Sequence, residues 1–564
     1  MRTLRLLALL TIVLSACTTQ DPADLVLINT RIYTVDANSH LAEAVAIKDG
    51  KIMVVGSNSE ISGYIGEDTR QMDLEGKVVY PGFIEGHAHI MGVGQNLINV
   101  DLREVKSYSE LVDAVAERAA ETPEGEWIVG RGWHQDKWTS SPESIVNGFP
   151  THDALSEAVP DHPVWLKHAS GHAGLANAKA MEMAAIDAST PDPDGGEIFK
   201  GLSGQPTGIF NETAQGSITG VIPAETKERR QRVFSLALEA CRQHGLTGFH
   251  QAGSGPLDIE VFKEFKEAGD LSLRLHVMLS GRNEGLLQEY FESGPVIDTV
   301  DQLLNIRAVK LYSDGALGSR GAWLLEEYSD APGVFGHNVT PMERIEDVTM
   351  RAAEAGFQVC THAIGDRGNR EVLDIYQRAM EAFPSIRDDH RFRIEHAQHI
   401  SGRDIPRFAE LGVIPAMQAI HMSSDRPWAI KRLGVRRIRE GAYVWQKLLQ
   451  SGAPIVNGTD APVEPINPLA SLYASVSRRT LGGTPEGGYE PDQKMTREEA
   501  LRSYTIDAAY GAFQEDVTGS IEAGKLADFT VLDRDIMVIE EDEILEAQVL
   551  MTIVGGEIVF DAAD

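Results

Sequence analysis

Gly86-His87-Ala88-His89 places two imidazoles one residue apart at the end of an apolar run, VVYPGFIEG. Side chains two apart on an extended chain point the same way, so both rings can face one space. Two neutral imidazoles held like this are half of a zinc-type coordination sphere. Further on, Thr361-His362-Ala363 and Glu395-His396-Ala397 each close an apolar run with a histidine. One strand histidine is more often a satisfied core residue than a ligand. Two on successive strands, both downstream of His-x-His, point to ligation. His399 competes for the same role but lies past its run, in a loop. Gly458-Thr459-Asp460 adds a carboxylate that can bind metal, take a proton from attacking water and deliver it to a leaving nitrogen. Asp460 before Ala461-Pro462 would also suit a plain turn, so its position has to decide. Lys310, inside AVKLYSDG, cannot stay charged cheaply among apolar neighbours. It must lose its proton, find a partner or be modified; carbamylation by CO₂ would make it an anionic oxygen ligand. His421 follows a later run and is a candidate to touch substrate or a developing oxyanion.

These residues need a frame that brings strand ends together. Short apolar strands alternate with amphipathic helices through the middle of the chain. The strand candidates are 78–86, 245–252, 273–279, 306–313, 357–363, 391–397, 413–419 and 453–460, with helices such as IEVFKEFKEAG and MERIEDVTMRAAEAG in the gaps. Eight strand–helix units close a TIM-like (β/α)8 barrel, an α/β fold whose active site lies at the C-terminal strand ends. The candidate ligands all fall at such ends. Residues 80–519 are read as this barrel. Residues 95–225, rich in Gly, Pro, Trp and His, break the rhythm and read as an insertion after the first strand, folded over the mouth. From it Arg131, Trp133, Trp138 and His172 are candidates to bind substrate. Residues 24–79 and 520–562 read as short strands with tight turns at Asp49-Gly50 and Glu75-Gly76, and are expected to form one small β-sandwich from both termini.

A formal net charge of −33, spread along 564 residues, argues against attraction to nucleic acid or anionic lipid headgroups, and the expected partner is a small-molecule substrate. Three cysteines are too few for a disulfide scaffold; Cys360 sits in an apolar strand and reads as a buried thiol, beside Cys241. At the N-terminus Arg2 and Arg5 precede LLALLTIVL and Leu14-Ser15-Ala16-Cys17. This order resembles a lipoprotein signal, residues 1–17, with Cys17 lipidated. It leads to an expected place on the periplasmic face of a bacterial outer membrane, with the lipid anchor as the sole membrane contact.

The residues and their order resemble the amidohydrolase superfamily, as do VVYPGFIEGHAH and the closing TREEALRSYTIDAAYGAF…GSIEAGKLADFTVLD, where Thr496 and Glu499 suit a helix capping box. VKLYSDGALGSRGA, THAIGDRGN, RIEHAQ and MQAIHMSSDRPW are similar to an extended branch that includes N-substituted formamide deformylase. Glu85 stands where the family usually has Asp. The resemblance implies that His87, His89, Lys310 (carbamylated), His362, His396 and Asp460 hold one or two divalent cations, zinc foremost, with Asp460 and His421 catalytic. The implied activity is hydrolysis of a non-peptide C–N bond, as in an N-substituted amide or N-acyl compound. A deaminase or cyclic-amide hydrolase would use the same ring, and a ligand-capturing lipoprotein is a non-enzymatic rival. A homodimer is a candidate assembly.

Overall fold

The computed structural model describes residues 21–563, apart from 104, 136, 137, 141, 170, 171 and 224. Its centre is an eight-stranded parallel sheet, with the strands side by side in chain order. They are β1 (Phe83–Ala88), β2 (Leu246–Ser254), β3 (Arg274–Ser280), β4 (Leu304–Tyr312), β5 (Gln358–Ala363), β6 (Arg393–His396), β7 (Ile414–Met417) and β8 (Val456–Asn457). Helices such as Lys227–Gln243, Pro256–Ala268, Met342–Glu354 and Asp366–Ala382 lie between them in sequence and share one large apolar core with the strands. The sheet is nearly closed. β8 has only two residues, and beyond it the Asp460 amide donates to His87 O at 2.8 Å while the His89 amide donates to Ala461 O at 2.8 Å.

All eight expected strands are present, with one division inside the first. Val78–Pro81 leaves the barrel and pairs antiparallel with Phe529–Leu532; β1 begins only at Phe83. Gly82 makes the crossing because a Cβ there would sit 2.1 Å from Thr247 Oγ1. Around that junction strands from both ends of the chain form two sheets. One is ordered Lys51–Gly56, Ala44–Lys48, Leu25–Ile28, Arg70–Asp73. The other is ordered Glu557–Asp561, Val549–Val554, Phe529–Leu532, Val78–Pro81, Arg31–Tyr33, Leu41–Ala42. Leu27, Val45 and Ile47 of the first and Phe529, Val531 and Ile553 of the second belong to one wholly apolar cluster. The expected turn at Asp49-Gly50 joins two of these strands with φ of 50° and 73°, the positive pair a two-residue hairpin requires. Thr496 and Glu499 form the expected capping box on helix Arg497–Ser503.

The insertion is a folded unit. Its mixed six-stranded sheet is ordered Gly196–Lys200, Pro206–Glu212, Ala173–Ala176, Val164–His168, Ile128–Trp133, Val100–Asp101. Helix Tyr108–Glu121 packs on it through Leu111 and Val115, in a core separate from the barrel's. Asn96, Asn99, Asp101, Arg103 and Arg131 enclose a cavity of about 210 Å³ with Pro462 and Val463, just past β8, so the insertion meets the barrel beside Asp460.

Candidate metal centre

Strand alternation and parallel register place His87, Lys310, His362 and His396 at the same end of the barrel strands, where His89 precedes helix Ile90–Ile98, His421 lies in the first turn of helix Ala419–Gly441, and Asp460 follows β8. His89 Nε2 lies 3.2 Å from Asp460 Oδ1, and His87 Nε2 lies 3.6 Å from it. His421 Nε2 lies 3.8 Å from Asp460 Oδ2. The His396 ring is 4.9 Å from that of His87 and 4.5 Å from that of His362, centroid to centroid. Lys310 Nζ is 3.2 Å from His87 Nε2. Two groups have the spacing of a metal site: His87, His89 and Asp460, and His396, His421 and Asp460. His362 stands slightly apart, its Nε2 turned to Asp314 Oδ1 at 3.6 Å. His396 and Asp460 hold positive φ values, 75° and 57°, a conformation non-glycine residues keep only where surroundings dictate it.

Hydrogen bonds behind the rings decide which nitrogen faces inward. His89 Nδ1 donates to Ala252 O at 2.9 Å, and His396 Nδ1 to Gln418 Oε1 at 2.7 Å. The Gln418 amide is itself oriented, its Nε2 donating to Ala416 O at 3.1 Å. His87 Nδ1 donates to Glu395. Each bond leaves Nε2 as a lone pair directed into the centre, as a ligand requires. Burial, then the neighbouring Lys310, pushes His87 down to about 4 and His362 to about 3, so both rings are neutral. Burial also lowers Lys310. Of the three fates open to that lysine, the geometry shows a partner, His87, and a push toward the neutral amine. Burial would raise Asp460, but His89 beside it and the imidazoles of His396, His87 and His421 hold it well below the usual carboxylate range. His362 Nε2, His421 Nε2 and Asp460 Oδ1 are buried and have no hydrogen-bond partner. Converging neutral imidazoles and an anionic carboxylate with unmet polar atoms fit a divalent cation.

The support beneath the ring went unrecognised in sequence. Arg393, wholly buried, grips Glu395 through two parallel bonds, Nε to Oε1 at 2.7 Å and Nη2 to Oε2 at 2.9 Å. Burial would raise Glu395, but Arg393 and His87 keep it well below its ordinary value. Below them Arg393 Nη1 donates to His250 Nδ1 at 2.8 Å, the His250 ring lies 5.2 Å from that of His276, and His276 Nε2 meets Gln358 Oε1 at 2.9 Å. A polar column thus runs down the barrel interior. The available signal was Arg393-x-Glu395 on an apolar strand, two charges on one face. Glu85 receives the Thr459 amide and hydroxyl, each at 2.8 Å, and binds β1 to the segment after β8; burial raises it to about 7. Asp314 accepts from the amides of Trp323, Ile364 and Gly365 at 2.8–2.9 Å, fixing the loop after β4 beside His362.

The insertion residues are placed differently. Arg131 lines the cavity beside Pro462. Trp133 corrects the expectation of substrate contact: it has no exposed surface and sits in the insertion's own core, donating to Leu166 O at 2.9 Å. Trp138 lies against it, ring centroids 6.0 Å apart. His172 is 72% exposed at its side chain and pairs with Glu212. His399 lies past the end of β6, as expected, and is buried 3.6 Å from Asp366. Cys241 and Cys360 are buried free thiols, as expected of Cys360.

A nearly closed parallel barrel with a buried histidine–aspartate centre at its strand ends defines the class of metal-dependent hydrolases. The model of the amidohydrolase family matches residues 70–560, and the chain belongs to that family as a hydrolase of C–N bonds other than peptide bonds. The protein LONG AFTER FAR-RED 3 of Arabidopsis thaliana is 33% identical over 95% of this chain and 91% of its own. The N-substituted formamide deformylase of Arthrobacter pascens is 29% identical over 94% and 97%. An uncharacterized metal-dependent hydrolase from Pyrococcus horikoshii superposes with a TM-score of 0.74 at 28% identity, covering 92% of this chain and 99% of that one.

The expected envelope location is corrected. No helix among the described residues is long and apolar enough to cross a membrane. Relatives matched over nearly their whole length come from Arabidopsis thaliana and Pyrococcus horikoshii, organisms without a bacterial outer membrane. Residues 1–17, with Cys17, lie outside the described residues.

Proposed function

We propose that this chain hydrolyses a non-peptide amide, an N-substituted amide or N-acyl compound, with one or two zinc ions held by His87, His89, Lys310 as its carbamate, His362, His396 and Asp460. When bound, such a cation supplies Lewis acidity, polarising a carbonyl and making water deprotonate near pH 7 instead of about 15.7. The chain's own residues do the rest. Asp460, anionic and facing His89 and His87 through Oδ1, takes the proton of the attacking water and carries it to the departing nitrogen. His421, whose Nε2 points at Asp460 Oδ2, stands where negative charge grows on the carbonyl oxygen. Asp314 and Glu85 hold the loop and seam that aim these groups.

The observation that carries this reading is the convergence of His87, His89 and Asp460, whose ligand atoms lie within 4.8 Å of one another. A cation between them would meet two imidazole lone pairs and the buried Asp460 Oδ1 at once. The deformylase relative supports the amide class. The test is metal analysis of purified protein, then chelation, zinc reconstitution and a screen of N-formyl, N-acyl and cyclic amides. Amine plus carboxylate as products supports the proposal; ammonia from a ring amidine makes the protein a deaminase. In Asp460→Asn, metal is retained and turnover falls roughly 10²–10⁴-fold, the scale of a lost general base. Full activity in that variant refutes the proton-carrying role.

A further inference from the structure

Beyond β3 the chain is pinned on both sides of one residue. The Gly281 amide donates to Lys310 O at 3.0 Å, and a Cβ on Gly281 would lie 2.4 Å from Leu311 Cδ2. The Asn283 amide donates to Ser280 O at 3.1 Å, and the Asn283 side chain caps helix Glu284–Ser293 by accepting from the Leu286 amide. Between them Arg282, exposed, lays its guanidinium 4.5 Å from the centroid of the Tyr312 ring. Tyr312 stands two residues after Lys310 on β4, hence on the same face of the strand. Its ring centroid is 5.1 Å from Lys310 Nζ and 5.8 Å from the ring of His362. Arg282 is therefore held one aromatic ring away from the metal centre.

Among the described residues Arg282 makes no hydrogen bond and no ion pair, in a chain with 84 acidic and 51 basic side chains. The adjacent acid, Glu284, is already taken by Arg344 and Arg351. The Tyr312 hydroxyl is also without a hydrogen bond among the described residues. It faces Gly253, where a Cβ would come 3.3 Å from it. A guanidinium with a free fork beside a free phenol is a receptor for a planar anion, because two N–H donors match the two oxygens of a carboxylate.

We propose that Arg282 and Tyr312 form an anion subsite beside the metal centre, and that the substrate is an amide bearing a carboxylate, of the N-acyl amino acid type. This rests on the amide-hydrolase reading above. A fixed arginine at the rim sets the orientation of the amide, because the carboxylate is anchored over β3 and β4 while the carbonyl lies over the histidines.

The test uses metal-loaded, full-length protein with N-formyl amino acids and their uncharged carboxamides, which match them in size. The wild type favours the acids. In Arg282→Met the acid-to-carboxamide ratio of kcat/KM drops roughly 10- to 100-fold, carried by KM, the range for losing a charge-assisted hydrogen-bonded pair. Arg282→Lys keeps part of the ratio, since it retains charge but not the fork. Calorimetric binding of a non-hydrolysable N-alkyl amino acid gives a readout free of turnover, and the affinity falls in parallel in Arg282→Met. Equal ratios in wild type and Arg282→Met, with both substrates hydrolysed, overturn the subsite and leave amide hydrolysis standing. Arg282-dependent binding without hydrolysis of any amide upholds the subsite and removes the amide reading. Binding of the N-alkyl amino acid that ignores Arg282 overturns the subsite.

Discussion

The barrel interior and the core between the two terminal sheets are both buried, yet they are built from opposite materials. Between the sheets lies a cluster of buried apolar side chains that includes Leu27, Val45, Phe529 and Ile553. Inside the barrel a charged pair, two histidines and an amide stand in a column under the metal centre, Arg393 and Glu395 wholly buried. The hydrocarbon core needs only shape and area to hold, and tolerates volume-conserving change. The polar column is stable only while each member has its partner, and one deletion exposes the desolvation cost of what remains. The contrast separates a region that ties the termini together from one that fixes the tautomer and aim of His87.

The largest effect should come from Arg393→Met, which strands a buried carboxylate: about 3–5 kcal/mol of stability lost in urea unfolding. A loss under 1 kcal/mol would mean that Glu395 takes up a proton at little cost, and the contrast between the regions would collapse. Next, Glu395→Gln removes the anion behind His87 and should weaken metal affinity roughly 10- to 100-fold by chelator competition. The third effect is in pH. Burial holds His276 down near 3 and His250 well below its usual value, against about 6.5 in the unfolded chain. A depressed base contributes stability that is present above pH 6.5 and lost as pH falls toward 3. At pH 5 His276 should therefore cost about 2 kcal/mol. His276→Gln should remove one proton from the slope of stability against pH between 6.5 and 4; an unchanged slope would show that His276 is already protonated when folded. The smallest is Ile553→Val between the sheets, about 0.5–1.5 kcal/mol with metal affinity unaltered. A shift in metal affinity there would show that the two cores are coupled.

The barrel was legible because its signal is local and repeated. Each strand is a short apolar run, each is followed by a helical stretch, and each candidate ligand sits at a run's end. His87-x-His89 and Asp460 could be placed by position alone, before any contact was known. The column was not legible, because charges on the inward face of a barrel strand look like charges on an outward one until the sheet closes. Arg393 and Glu395 satisfy each other across two residues, and nothing in their neighbours names His250 or His87 as the next partners. The insertion resisted for another reason: its strands pair out of sequence order, parallel and antiparallel together, so no periodicity announces that Trp133 is core. Arg282 carries no motif, and its meaning comes entirely from what its neighbours leave unpaired.

The seam between β1 and the residues after β8 has a mechanical side. The last stave is two residues long, and the join relies on the Glu85 clasp to Thr459 and a backbone bond from Asp460 to His87. A cation gripped by His87 and Asp460 would rivet that join, so loading should slow amide exchange most at Gly458–Ala461 and raise the thermal midpoint. Stripping it should let the cylinder start to unbutton along this one line, well before the opposite wall.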